Sequence, residues 1–244
     1  MTTPAGVSGA VLLLPVQVSV LHVANPALTP TNLLYNVVAT PGAILRFARD
    51  RRPDAVLTKM LLAGTVPGVA IGAVLRVEVF SGPTTFLLVV AAVLAPIGVW
   101  LLAGGGPSAG SAPPAAPGRG VPFIAFGAGL VGGLYGIGGG SLIGPALVLL
   151  GYGMATVAPA ALTVTFVTSV VDVLVFQGLQ WAEGDGSIAP VWGLGIAMGI
   201  GGLVGGYVGA RLQPRVPEAA LRRLLGAVCV VLAVRYGLQG AGVG

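Results

Sequence analysis

Charge is scarce in this sequence, and its scarcity excludes a water-soluble fold. The 244 residues include twelve Lys or Arg and seven Asp or Glu, whereas apolar types make up 55% and the mean hydropathy is +0.97. A soluble domain of this size needs far more polar side chains to cover its outside. The composition therefore predicts a membrane protein that crosses the bilayer several times.

Cysteine and histidine are almost absent too. Cys229 is the only cysteine and His22 the only histidine, so the chain lacks the residues for an intramolecular disulfide, a multi-cysteine cluster or a multi-histidine metal site. It also has no Gly-x-x-x-x-Gly-Lys-Ser/Thr motif, which argues against ATP hydrolysis. We therefore expect no metal, no cofactor and no enzymatic activity.

The few charges are clustered, which leaves long stretches for the membrane. Four intervals carry no charge, and each has room for at least one span of about 20 residues: 1–45, 79–118, 120–171 and 186–210. The apolar runs between breakers predict nine helical segments, near 6–25, 28–46, 56–76, 82–103, 121–136, 138–152, 157–180, 188–210 and 220–239. The 41 glycines and 19 prolines are embedded in apolar sequence, where they permit close packing and interrupted helices. The predicted fold class is an all-α, polytopic membrane helix bundle.

Two basic clusters, at 46–59 and 211–223, set the expected orientation. The positive-inside rule places both in the cytoplasm, so the net charge of +5 indicates topology rather than nucleic-acid binding. The acidic loop 181–185 then lies outside. An even number of crossings must separate the two clusters, which favours a full crossing by segment 138–152 over a re-entrant half-helix.

Internal similarity divides the chain into two halves. Segments 6–15 and 136–145 share glycine and proline positions at an offset of 130, and Asn32 and Asn36 fall opposite Thr165 and Ser169 at an offset of 133. The helix that carries Asn32 and Asn36 is expected to end on the cytoplasmic side, at Arg46, and the helix that carries Thr165 and Ser169 on the outer side, at Trp181. Similar sequence in opposite orientation leads us to interpret the halves as an inverted repeat. A counterpart of 121–136 is expected to be missing before Met1. The alternative is chance similarity between Gly- and Ala-rich stretches. The resulting domain organisation is 1–104, a Gly/Pro/Ala linker at 105–120, and 121–244.

Uncharged polar side chains recur at helical spacing within the predicted spans. Asn32 and Asn36 are four residues apart, as are Thr165 and Ser169, so each pair projects from one helix face. Amides and hydroxyls suit a small oxyanion, especially beside the free N–H groups of a broken helix. The alternatives are polar bonds between helices and tight glycine contacts. The predicted binding residues are Asn32, Asn36, Gly138, Gly139, Gly140, Ser141, Thr165 and Ser169.

Asp172 is the only carboxylate well inside a predicted span. Acids within the membrane are costly and usually functional, so we interpret Asp172 as a candidate for coupling to a proton or cation. The alternative is a carboxylate that reaches water near the outer end of its helix.

One run of sequence resembles a known family. Residues 132–145, Gly-Gly-Leu-Tyr-Gly-Ile-Gly-Gly-Gly-Ser-Leu-Ile-Gly-Pro, are followed by the Thr/Ser-bearing segment 157–180 and resemble the TauE/SafE family of sulfite-exporter-like permeases. Asn32-Leu-Leu-Tyr-Asn36 and the basic loop after it look like the partner repeat, although Val7-Ser-Gly-Ala10 replaces the glycines usual there. The resemblance implies a plasma-membrane carrier for small sulfur-containing anions such as sulfite or organosulfonates, moving them outward.

These observations favour a secondary transporter that binds a small anion at the eight residues named above. A passive anion channel of the same fold and a membrane scaffold that transports nothing are the alternatives. The expected partners are a small anionic solute and the lipid bilayer, with no nucleic acid; homo-oligomerisation is left open.

The inverted arrangement can be tested by labelling. Cysteines introduced at Asp50 and at Asp185 should react with an impermeant thiol reagent from opposite sides of the membrane, because an odd number of crossings separates them. Labelling of both from one side would contradict the inverted repeat.

Overall fold

A computed structural model of the chain describes residues 27–50, 53–79, 83–104, 118, 120–184, 188–212 and 215–242, with positions 9, 10, 13, 17, 21 and 23. Within these residues every regular secondary-structure element is an α-helix, which confirms the predicted fold class. The eight helices are α1 (Leu28–Asp50), α2 (Ala55–Glu78), α3 (Pro83–Leu102), α4 (Val121–Tyr135), α5 (Gly140–Leu149), α6 (Met154–Glu183), α7 (Trp192–Leu212) and α8 (Glu218–Gly240).

The helix bounds follow the apolar runs of the sequence. Each of the last eight predicted segments corresponds to one helix, and local chemistry explains several helix ends. The Asp54 carboxylate accepts hydrogen bonds from Val56 N and Leu57 N and so caps α2. Gly184, in the left-handed conformation with φ 69°, ends α6. Most of segment 6–25 and of linker 105–120 lies outside the described residues.

Three helices, α2, α6 and α7, are long and apolar enough to cross a bilayer by length and composition. Helix α4 is apolar but has only 15 residues. These helices indicate a membrane protein.

Glycines set how closely the helices approach. A Cβ added at Gly64 would meet Pro122 and Ala125, and one at Gly72 would meet Leu130 and Leu134. Moving eight residues along α2 thus moves the contact by about eight residues in the same direction along α4. The two helices therefore run parallel, with their backbones nearly in contact. Small residues at such interfaces allow helices to pack closely in lipid.

Helix α7 packs on α1 in the same way, and also parallel. Gly195 lies against Leu34, and further along both helices Gly206 lies against Ala43. Helices α3 and α8 are antiparallel instead, because Gly98 approaches Val230 whereas Gly240 approaches Leu88.

Helices α1 and α6 are antiparallel and cross near their centres. Leu33 of α1 clusters with Phe176 of α6, whereas Phe47, near the other end of α1, clusters with Ala158 and Leu162. Their directions are therefore opposite, as two inverted halves require. The relation between the halves as repeats stays a prediction.

Both basic connections lie at one end of the bundle. Arg49 donates a hydrogen bond to Tyr207 Oη at 3.2 Å, and its guanidinium carbon lies 6.0 Å from the ring centroid, so the carboxyl ends of α1 and α7 meet. Burial, together with the nearby Asp54 carboxylate, raises the pKa of the Tyr152 hydroxyl. Asp54 precedes α2 and Tyr152 precedes α6, so the start of α6 lies at this end too. We call this the basic end; α2 and α6 finish at the opposite, acidic end with Glu78 and Glu183.

The segment between α4 and α6 is only partly helical. Helices α4 and α6 both run in the direction of α2, so the chain must return between them. It does so through non-helical residues 136–139 and then α5, which has ten residues and a length of about 15 Å, half of a hydrocarbon core of about 30 Å. Helix α5 begins two residues after the start of the predicted segment 138–152, because Gly138 adopts a φ of 73°, which a right-handed helix excludes. The full crossing stays a prediction.

Two glycines of α4 provide a matched test of this packing. A side chain at Gly133 would press on the α2 backbone, with Val69 Cα at 2.8 Å, whereas Gly127 has nothing within 4 Å. We expect Gly133→Val to lower the free energy of unfolding by about 3 kcal/mol, the upper range for overpacking, and Gly127→Val to leave it nearly unchanged. Thermal unfolding in detergent measures both, and equal shifts would contradict the packing.

Candidate functional site

The break between α4 and α5 lies inside the bundle. Gly136 caps α4 in the left-handed conformation and donates its N–H to Gly132 O. A Cβ at Gly136 would meet Thr29 of α1, and one at Gly139 would lie 3.2 Å from Thr65 Cγ2 of α2. Protein therefore surrounds the irregular backbone, as membrane depth requires.

Polar side chains from two helices converge on Gly138. A Cβ there would lie 2.9 Å from Ser169 Oγ, 2.9 Å from Thr165 Cγ2 and 3.4 Å from Asn36 Nδ2. The side chains of Asn36, Thr165 and Ser169 are all fully buried. The structure thus brings together Asn36, Thr165 and Ser169 with the backbone of the glycine run, at the point where α1 and α6 cross.

Asn32 has a different position from Asn36. Its Nδ2 donates to Gly136 O at 2.9 Å, and its Oδ1 accepts a long hydrogen bond of 3.5 Å from Gln17 Nε2. Asn32 therefore holds the end of α4 in place, one helical turn from the point where Asn36 meets Gly138.

The first residues of α5 are held by α6 and by the break itself. Gly139 N donates to Thr168 Oγ1 at 3.2 Å. Gly140 packs against Ala161, and Ser141 Oγ donates to Ile137 O at 2.9 Å. Thr168 is not among the residues predicted from the sequence, although its spacing of three from Thr165 places both on one helix face. Ser141 stabilises the break rather than presenting a free hydroxyl.

Ser169 differs from the other hydroxyls of α6. Thr165 Oγ1 donates to Ala161 O at 2.9 Å and Thr168 Oγ1 to Val164 O at 2.8 Å, which is the usual bond to the preceding turn. Ser169 Oγ is buried and has no hydrogen-bond partner among the described residues. A buried hydroxyl left in this state costs about 1–3 kcal/mol. It is therefore available to a bound ligand.

Two charged side chains are buried in the described part of the chain, Asp172 and Arg76. Asp172 follows Ser169 by three residues, is 0% exposed, and neither of its oxygens has a hydrogen-bond partner among the described residues. The alternative, a carboxylate that reaches water, does not agree with this burial. Arg76, 3% exposed, lies in the last turn of α2. Arg76 is not among the residues predicted from the sequence, because it stands at the end of a predicted span.

A small cavity adjoins the site toward the basic end. Tyr35 and Thr40 of α1, Leu162 of α6 and Gly202 of α7 are among its lining residues. Thr40 is one turn from Asn36, and Leu162 is about one turn from Thr165. The cavity therefore lies next to the residues around Gly138.

The donor set favours an anion over a metal ion. The described residues contain no group of three or more His, Cys, Asp or Glu that could hold a metal. Amide and hydroxyl hydrogens and the amino-terminal end of α5 are donors, which suit negatively charged oxygen atoms.

The sequence model of the family described as "Sulfite exporter TauE/SafE" matches residues 1–236. The chain belongs to this family. The match covers nearly the whole chain, including the break and all the residues around Gly138, and confirms the resemblance found in the sequence. Members of the TauE/SafE family are membrane transporters, a class that is not enzymatic. A search of curated proteins found no match.

Gly138 and Gly151 test the crowding at this TauE/SafE site. Both have positive φ, 73° and 89°, but Gly151 has nothing within 4 Å of an added Cβ. We expect Gly151→Ala to cost about 1–3 kcal/mol of backbone strain and Gly138→Ala to cost clearly more, because its methyl group would meet Ser169 and Thr165. Unfolding in detergent compares them, and equal costs would show that the polar side chains do not crowd Gly138.

Proposed function

We propose that this protein is a multi-pass, plasma-membrane secondary carrier that exports a small oxyanion, either sulfite or an organosulfonate. The observation that carries the proposal is the buried, unpartnered hydroxyl of Ser169 beside Gly138 and the Asn36 amide. Family membership supports sulfur oxyanions as the substrate class and export as the direction.

The chemistry of the site suits a weakly held anion. Hydrogen bonds to a charged acceptor are about twice as strong as neutral ones, so donors such as Ser169 Oγ and Asn36 Nδ2 can replace part of the hydration shell of the ion. The amino-terminal end of α5 adds the positive end of a helix dipole. A full positive charge at this point would hold the anion too firmly for rapid release.

Burial favours a carrier over an open channel. Asn36, Thr165 and Ser169 are each 0% exposed, so the site is closed to both ends of the bundle in this conformation. Interrupted helices at the interface of two inverted halves are the usual setting for alternating access. The cavity beside Thr40 and Leu162 would then serve as the approach from the basic, cytoplasmic end.

Asp172 is the proposed coupling group. Its carboxyl is fully buried, one helical turn from Ser169. A proton bound there would neutralise the carboxylate and so remove its repulsion of the nearby anion, because charges interact strongly at low dielectric. Proton movement would thus be tied to anion movement.

The binding proposal is tested by sulfite efflux from proteoliposomes. Ser169→Ala should reduce the flux at low substrate concentration about 10- to 100-fold, the loss expected for one hydrogen bond of about 1.5–3 kcal/mol to a charged group. Thr163→Ala is the matched control, because Thr163 lies on the same helix and bonds Pro159 O. Equal fluxes for wild type and Ser169→Ala would contradict the site, and no flux in wild type would favour the scaffold.

The coupling role is tested by an imposed pH gradient. We expect wild-type protein to accumulate sulfite against its gradient when protons are supplied, and Asp172→Asn to exchange sulfite without accumulating it. Retained accumulation in Asp172→Asn would rule out the role. Wild-type flux that responds to voltage alone would support a passive channel instead.

A further inference from the structure

The cavity that adjoins the Ser169 site ends at a tyrosine. It extends along α1 from Tyr35 toward the basic end as far as Ala43, over a distance of about 12 Å. Tyr35 directly precedes Asn36, so it lies at the same depth in the bundle as the polar residues around Gly138. Tyr35 therefore stands at the inner end of the cavity, where an anion entering from the basic end would reach the Ser169 site.

Most of the cavity wall consists of small residues. Glycine or alanine occupies five of the eight described lining positions, and Thr40 adds a short polar side chain. The large side chains among these residues are Tyr35 and Leu162. Leu162 clusters with Ala43 and Phe47, nearer the basic end. Tyr35 is thus the large side chain at the inner end of the cavity.

The ring of Tyr35 is held between two glycines. A Cβ added at Gly9 would meet the Tyr35 hydroxyl, and a Cβ added at Gly202 of α7 would lie 2.6 Å from Tyr35 Cε2 and 2.7 Å from Tyr35 Oη. The ring therefore fills the space that each missing side chain leaves. Because protein interiors are closely packed, the ring cannot turn toward either glycine unless the backbone there moves. Tyr35 is a fixed part of the wall.

We propose that Tyr35 limits the size of the anion that reaches the Ser169 site, so that the carrier exports sulfite in preference to organosulfonates with longer carbon chains. Both kinds of ion present sulfur-bound oxygen atoms to the donors around Gly138. A sulfonate carries a carbon chain where sulfite has a lone pair, so the two differ mainly in volume. A rigid ring discriminates on volume. This inference rests on the proposed function and states which of its two substrates is preferred.

A simpler role for Tyr35 is to pack α1 against α7, because Gly202 also lies against Ala39 of α1. That role predicts lower stability for a smaller residue at position 35 and an unchanged preference among anions. The relative transport of short and long anions separates the two roles, since a loss of folded protein lowers every flux by the same factor.

The test is anaerobic efflux from proteoliposomes loaded with sulfite, methanesulfonate, ethanesulfonate or propanesulfonate. Wild-type flux at low concentration should fall about tenfold or more with each added methylene, the discrimination expected of a rigid apolar wall. Tyr35→Ala should raise the ratio of propanesulfonate flux to sulfite flux by about 10- to 100-fold. Tyr35→Phe, which keeps the ring, should leave this ratio unchanged.

Glycine variants of α7 provide a second test that leaves the tyrosine in place. The methyl group of Gly202→Ala would press the ring into the cavity, so this variant should slow methanesulfonate more than sulfite. Gly201→Ala is the matched control, because Gly201 has nothing within 4 Å of an added Cβ. Leu45→Ala controls for the loss of a large side chain from α1, since Leu45 is 65% exposed. Both controls should keep the wild-type flux ratios.

The outcomes distinguish failure of this inference from failure of the proposed function. The same propanesulfonate-to-sulfite ratio in wild type and Tyr35→Ala would overturn the inference and leave the proposed function intact. Equal fluxes of all the anions in wild type would also overturn it, whether or not any variant folds. No flux of any anion would reject the proposed function and this inference with it. Should Tyr35→Ala not fold, identical flux ratios in Gly202→Ala and Gly201→Ala would overturn the inference.

Discussion

The structure depends on enclosing a break in a membrane helix. Backbone N–H and C=O groups that leave a helix within hydrocarbon cost several kcal/mol each unless protein satisfies them. Here the chain between α4 and α5 is irregular over 136–139. The break is stable because glycine contacts let α1, α2 and α6 surround it closely. The same enclosure excludes water and leaves a small polar space at the centre of the bundle.

The side chains around the break divide into two groups by their bonds. Asn32, Thr168 and Ser141 bond the backbone of the break or of the turn beside it and hold its shape. Ser169 points at the same backbone and bonds nothing among the described residues. The buried Ser169 hydroxyl lowers the stability of the empty protein, and it would gain a hydrogen bond when an anion binds. The bound state would therefore be favoured over the empty state. The proposed transport site is therefore the part of the break that the protein leaves unsatisfied.

Much of the fold could be predicted from the sequence because apolar runs and charge clusters are strong signals in membrane proteins. The bounds of α2 and α3 were predicted to within about two residues, and the convergence of Asn36 and Ser169 followed from helical spacing and the similarity of the halves. Helix α5 is five residues shorter than the predicted segment 138–152, since hydropathy does not report the positive φ angles that bound it. Arg76 was missed because burial at a span end depends on the neighbouring helices, which no local pattern reveals.

Anomalous diffraction from crystals grown with selenite, a heavier analogue of sulfite, tests directly whether a small oxyanion binds beside Ser169. Selenium scatters anomalously, so its position is found independently of any model of the chain. We expect a selenium peak within hydrogen-bonding distance of Ser169 Oγ, with Asn36 Nδ2 and the Gly138 backbone around it. Selenium bound elsewhere in the protein, with no peak beside Ser169, would contradict it.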